Sequence, residues 1–91
     1  MSEDAPKRRS PAELMRVARA EFEELTGRTI EAVSAFAKTD HGWELNVEVV
    51  ELARIPDTTS VLATYRVLLD SDGEFGGYER VRRYARGQIE L

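Results

Sequence analysis

From Ser10 onward the apolar positions change period once, and the change divides the chain into one helix and a sheet. Ser10-Pro11-Ala12-Glu13 carries three agreeing start signals. Ser10 can cap the third helical amide, Pro11 suits the first helical position, and Glu13 can reach back to complete a capping box. Leu14, Val17, Ala18, Phe22 and Leu25 follow at i, i+3, i+4, i+8 and i+11, the stripe of an amphipathic helix. Gly27, free to turn left-handed, supplies the stop, so the spacing predicts a helix over Pro11 to Thr26.

After Gly27 the period drops to two. Thr29 to Lys38 is a first strand, with Ile30, Ala32 and Phe36 on one face and Val33, Ala35 and Ala37 on the other. Asp40-His41-Gly42 turns the chain. In the second strand Trp43, Leu45, Val47 and Val49 alternate with Glu44, Asn46 and Glu48, until Val49-Val50 breaks the phase. A β-bulge or sharp twist there would reconcile the two halves, as would cover on both faces. After a Pro56–Ser60 loop, Val61, Ala63, Tyr65, Val67 and Leu69 give an unbroken apolar face. Asp70-Ser71-Asp72-Gly73 reads as a hairpin turn. A fourth run holds Phe75, a Gly76-Gly77 kink and Tyr78 to Arg86, charged enough to guard an open edge.

Strand runs joined by short turns favour an antiparallel meander, and the helix must cover one of its faces. The expected fold is therefore α+β: one N-terminal amphipathic helix on a four-stranded antiparallel meander sheet. Its core should hold Leu14, Ala18, Phe22, Leu25, Leu45, Val47, Val61, Ala63, Tyr65 and Val67. Residues 1–9 lack periodicity and read as a disordered tail, leaving 10–91 as one domain.

At 91 residues and 42% apolar content the chain can bury a single core. One third of it is charged and the net charge is −4, which disfavours general attraction to nucleic acid or anionic membrane. No apolar run is long enough to span a bilayer, and Met1–Arg9 has no secretory apolar segment. Without cysteine there is no disulfide framework, thiolate nucleophile or zinc–thiolate site. A reducing, cytoplasmic setting fits.

Groups for catalysis are scarce. His41 is the single histidine and sits in a turn, a poor base or ligand without a partner. Asp70–Glu74 faintly resembles a calcium loop but lacks an oxygen ligand before the glycine and the downstream glutamate, so a hairpin turn accounts for it. Glu48 and Glu51 could pair as carboxylates, yet on an antiparallel sheet such groups mostly face water or neighbouring arginines. We expect no catalytic residues, cofactor or metal.

The strongest electrostatic feature is Tyr78-Glu79-Arg80-Val81-Arg82-Arg83-Tyr84-Ala85-Arg86. Extended, it would place Arg80, Arg82 and Arg86 on one face with Tyr78 and Tyr84. Three uses fit: a single-stranded nucleic-acid platform, a protein interface, or an internal charge ladder against Glu44, Glu48 or Glu51. The net acidity weighs against the first.

The run Val47 to Tyr65, with its core Glu51-Leu52-x-Arg54-x-Pro56-Asp57, and the element Arg80-Val81-Arg82-Arg83-Tyr84 within Gly77–Gly87 resemble the gas vesicle protein GvpO family, its actinobacterial members in particular. The likeness covers roughly Leu14 to Gly87. It implies a cytoplasmic or vesicle-associated accessory protein that helps form gas vesicles by contacts with other gas vesicle proteins, with no catalytic residues to carry over. A small nucleic-acid-binding regulator is the alternative. On this reading the partner-binding candidates are Tyr78, Arg80, Arg82, Arg83, Tyr84 and Arg86 with Glu44, Glu48 and Glu51. The open edge also leaves room for a homodimer by sheet extension.

Overall fold

A computed structural model describes residues 9–88. The tail expected over 1–9 therefore lies outside the described residues except for Arg9. The helix α1 spans Pro11–Thr26 and is capped as its sequence demands. Ser10 Oγ accepts from the Glu13 amide at 3.2 Å, and Glu13 Oε1 accepts from the Ser10 amide at 2.9 Å. At the other end Gly27 takes φ 72° and donates to the Glu23 carbonyl at 2.8 Å. Glu23 Oε2 then accepts the Ile30 amide at 2.7 Å, tying the end of α1 to the first strand.

Four strands come after the helix: β1 (Ile30–Thr39), β2 (Gly42–Leu52), β3 (Val61–Asp70) and β4 (Phe75–Ala85). They form one antiparallel sheet in chain order, so β1 and β4 are its open edges. The expected α+β architecture is the one observed. A single 3-10 turn, Asp57–Thr59, sits in the β2–β3 loop, where the Ile55–Pro56 peptide is cis. Gly42 opens β2 at φ 154°, and a Cβ there would lie 2.0 Å from the Leu69 carbonyl oxygen. No larger residue fits.

The meander is interrupted five times. Pairing skips Glu31 and Ser34 in β1, Glu51 in β2, and Gly76 and Val81 in β4. Each bulge reverses the in–out phase of the residues beyond it. The two in β1 bring Ile30, Val33 and Phe36 to the helix side, opposite Val49, Val47 and Leu45. The even faces expected for β1 are thus corrected: Val33 joins Ile30 and Phe36 against the core, and Ala32 is exposed. Of the alternatives left open at the Val49-Val50 phase break, a bulge is present, at Glu51.

Leu14, Ala18 and Phe22 of α1 pack on Leu45, Val47, Val49, Ala63 and Val67. Ile30 and Leu69, not among the expected core residues, are buried with them. Leu25 is not: it is 58% exposed. The buried line follows a four-residue spacing, which advances about 40° per step, so by the last turn it has rotated past Leu25 toward Thr26. Val61 and Tyr65 are only half-buried, with Tyr65 packed against the core.

Candidate interaction surfaces

The bulge at Val81 decides where the arginine–tyrosine ribbon points. Tyr65 pairs with Arg80 and Ala63 with Arg83, which puts Tyr78, Arg80 and Arg83 on the helix side. Thr64 pairs with Arg82 and Leu62 with Tyr84, which puts Arg82 and Tyr84 on the opposite side. Arg86 lies beyond the end of β4. The single face expected for Arg80, Arg82, Arg86, Tyr78 and Tyr84 is therefore not formed. One unpaired residue in mid-strand is enough to divide it.

On the side away from α1, Glu48 gathers hydroxyls from the other three strands. Ser34 Oγ, Thr64 Oγ1 and Tyr84 OH each donate to its carboxylate at 2.6 Å. Arg82 stacks over the Tyr84 ring at 4.7 Å and donates from Nε to Thr64 Oγ1 at 3.3 Å. Burial by itself would raise the Glu48 pKa, but the three hydrogen bonds, helped by Arg82, hold it below the usual 4.5. Burial and the Glu48 acceptor push the Tyr84 hydroxyl up to about 12. Further along this side Arg66 bridges Glu44, at 3.5 Å, and Glu79.

On the helix side the bulged Glu51 plays the matching part. Its side chain is 6% exposed and accepts from Tyr65 OH at 2.8 Å. Arg83 Nε lies 3.0 Å and Arg80 Nη1 3.4 Å from it. Burial works against its charge, but the Tyr65 hydrogen bond and the nearby Arg28, Arg80 and Arg83 outweigh burial and lower its pKa. Beside it Phe22 meets Tyr65 at 5.3 Å and Tyr78 at 5.4 Å, the latter edge to face.

Arg86 closes the end of the sheet. Its Nη1 and Nη2 donate to the two oxygens of Glu31 at 2.8 and 2.9 Å, a bidentate fork. Its Nε lies 2.8 Å from Asp57 Oδ2 but is not aligned as a hydrogen-bond donor, so that contact is an ion pair. The fork lowers the Glu31 pKa and raises that of Arg86. Its amide donates to the Ser60 carbonyl and that of Gly87 to the Thr58 carbonyl, both at 2.8 Å.

The ribbon and the acidic strand are thus joined to each other, as an internal ladder requires. Glu31, Ser34, Asp57, Thr64 and Tyr65 complete these clusters; the sequence placed Tyr65 in the core and Asp57 in the family motif but gave none of the five a site role. Runs of like chemistry do not reveal them, since Glu31 and Ser34 are bulge residues and Asp57, Thr64 and Tyr65 lie outside any charged run. The Asp70 loop is a turn: Asp70 Oδ1 accepts the Asp72 and Glu74 amides, each at 2.9 Å. Among the described residues no group of three acidic, histidine or cysteine side chains could hold a metal, and no helix is long and apolar enough to cross a membrane.

Fold and side-chain clusters describe a small α+β domain whose polar groups are spent on cross-strand bonding. The family model for gas vesicle synthesis protein GvpO matches residues 1–90, and the chain belongs to that family. It is similar to gas vesicle protein O of Streptomyces sp. (strain CB03234), 58% identical over 89% of this chain and 63% of that protein. It is also similar to gas vesicle protein O1 of Halobacterium salinarum, 36% identical over 80% of this chain and 61% of that protein. The match to gas vesicle protein O of Haloferax mediterranei is 39% identical over 59% of this chain and 39% of that protein. The chain spans less than two thirds of the length of these relatives. No solved structure matches it.

Proposed function

We propose that this protein supports gas vesicle formation as a non-catalytic, cytoplasmic accessory protein, through contacts with other gas vesicle proteins. Family membership is the observation that carries the process. Binding as the activity is supported by the site chemistry: the carboxylates face hydroxyls and arginines inside a sheet, an arrangement that stiffens a surface and supplies no nucleophile or proton shuttle. The docking candidates are the half-exposed arginines of β4, which a partner carboxylate could share, and the polar side of the sheet carrying Glu44 and Glu48. Tyr78 and Tyr84 point to opposite sides and Tyr84 is already covered by Arg82, so no base-stacking platform favours a nucleic-acid partner.

The test is complementation of a deletion strain. An Arg80→Ala/Arg82→Ala variant leaves the Arg86 fork in place, should stay folded, and should fail to restore gas vesicles. Arginine contacts at interfaces cost about 2 kcal/mol or more on truncation, over tenfold in affinity. Full restoration by the folded variant would confine β4 to its intramolecular role. Normal flotation of the deletion strain would remove the assembly role itself.

A further inference from the structure

Three arginines converge on one buried carboxylate on the helix side of the sheet. Arg80 reaches Glu51 through Nη1, 3.4 and 3.5 Å from its two oxygens, and Arg83 through Nε at 3.0 Å. Arg28, just beyond the Gly27 cap, adds its charge from farther off, without an ion pair. Its amide donates to Thr26 Oγ1 at 3.1 Å, which fixes where the chain leaves α1. Three positive charges thus face one negative charge. A guanidinium carries five N–H donors, and Arg80 and Arg83 each present a single nitrogen to Glu51. No other group among the described residues takes the donors that remain. Arg86 differs, since Glu31 and Asp57 engage all three of its nitrogens.

The side chains of Arg80 and Arg83 are 48% and 52% exposed, within reach of a second anion. No further acid among the described residues pairs with the three arginines. Glu79 is held by Arg66 on the other side, and Glu23 accepts the Ile30 amide. Glu21 and Glu24, exposed on α1, form no ion pair with them. Apolar surface lies beside the cluster. Tyr78, on the same side of β4 as Arg80, is 43% exposed, and its ring meets Phe22 edge to face. Leu25, about one helical turn past Phe22, is 58% exposed.

We propose that Arg28, Arg80 and Arg83 bind a second carboxylate, an aspartate or glutamate side chain of a protein partner, with an apolar neighbour seated on Leu25 and Tyr78. This rests on the accessory role proposed above and names the chemistry its partner must present. A carboxylate fits because its two oxygens can bridge two guanidinium groups, and Glu51 beneath holds those groups in position. The apolar flank and the net charge of −4 favour an acidic protein segment over a nucleic-acid backbone.

A synthetic peptide alternating glutamate with leucine, titrated into the full chain and followed by NMR, tests it. The side-chain Nε–H signals of Arg80 and Arg83 and the ring signals of Tyr78 should move, with a dissociation constant on the order of 1 mM for so small a contact. Arg28→Gln and Arg83→Gln should each weaken binding by about threefold. Arg16→Gln removes the same charge from an exposed position elsewhere on α1 and should leave binding unchanged. Arg28 makes no ion pair with Glu51, so Arg28→Gln decides the matter even where Arg83→Gln fails to fold. Signals that stay still overturn the proposal. Equal movement with a peptide carrying glutamine in place of glutamate does so too, as does a loss in Arg16→Gln matching that in Arg28→Gln. Tighter binding of a single-stranded oligonucleotide at the same signals also overturns it, since the partner would then be a nucleic acid. The assay contains no gas vesicles, so its failure strikes this site alone and leaves the accessory role to the deletion strain.

Discussion

The Tyr84 hydroxyl of β4 donates to the Glu48 carboxylate of β2 at 2.6 Å, reaching across β3, which lies between their strands. Ser34 of β1 and Thr64 of β3 donate to the same carboxylate, so one side chain joins all four strands on the side that α1 does not cover. A bare sheet face has no apolar layer to hold it. Glu48 supplies a polar substitute.

Replacing Glu48 with Ala should therefore cost roughly 2 kcal/mol, within the range for hydrogen bonds to charged groups. Tyr84→Phe should cost roughly 1 kcal/mol. The double variant should lose less than the sum, because both remove the same bond. Urea unfolding of the three variants and the parent checks this, and strict additivity would show that the bond contributes nothing.

Stability should fall at both extremes of pH. Glu31, Glu48 and Glu51 are all held below 4.5 in the folded chain. The unfolded chain then binds more protons in acid, so their contribution is full above about 4.5 and is lost as pH drops through the lower folded values. Tyr84 is raised from 10.0 to about 12. Its contribution is full below 10 and is lost as pH rises from 10 through 12. Melting temperatures across pH should show both slopes, with the acid slope shallower in Glu48→Gln and the alkaline slope shallower in Tyr84→Phe.

Phe22 is fully buried and touches both Tyr65 and Tyr78. Phe22→Ala should cost about 3–5 kcal/mol, lowering the melting temperature by more than about 12 °C for a domain of this size. An unchanged melting temperature would mean that α1 docks by another face. Leu25→Ala, at an exposed position, should change stability by no more than about 0.5 kcal/mol.

The Arg86 side chain, through its ion pair with Asp57, should govern the β2–β3 loop and leave the core alone. In Arg86→Ala, amide exchange at Thr59, Ser60 and Gly87 should quicken while exchange in α1 and in the centre of β3 stays unchanged. Equal acceleration everywhere would show a global effect instead of a clamp.

Much of the fold was legible because its signals are local. The Ser10–Glu13 box and Gly27 bound α1 at the residues expected, since caps depend on groups within one turn. The alternation of β3 and the Asp70–Gly73 turn depend only on neighbours as well. The phase break at Val49-Val50 left a bulge, a sharp twist or cover on both faces open, and pairing skips Glu51 just beyond it.

The Gly76-Gly77 kink read from the sequence is where the Gly76 interruption falls, but those at Glu31, Ser34 and Val81 left no such mark. A skipped residue is defined by what the neighbouring strand pairs with, and that is a property of the assembled sheet. The error over the ribbon has the same origin: extended alternation put Arg82 with Arg80, and the Val81 bulge parts them.

Local chemistry thus determined a capped helix, four strands, their turns and a core around Phe22, because each arises from periodicity and short-range bonding. Tertiary structure alone decided which carboxylate each arginine and hydroxyl would meet. Glu48 and Tyr84 lie 36 positions apart and Glu31 and Arg86 lie 55 apart. Such pairs form only after strand order, register and bulges have brought them together.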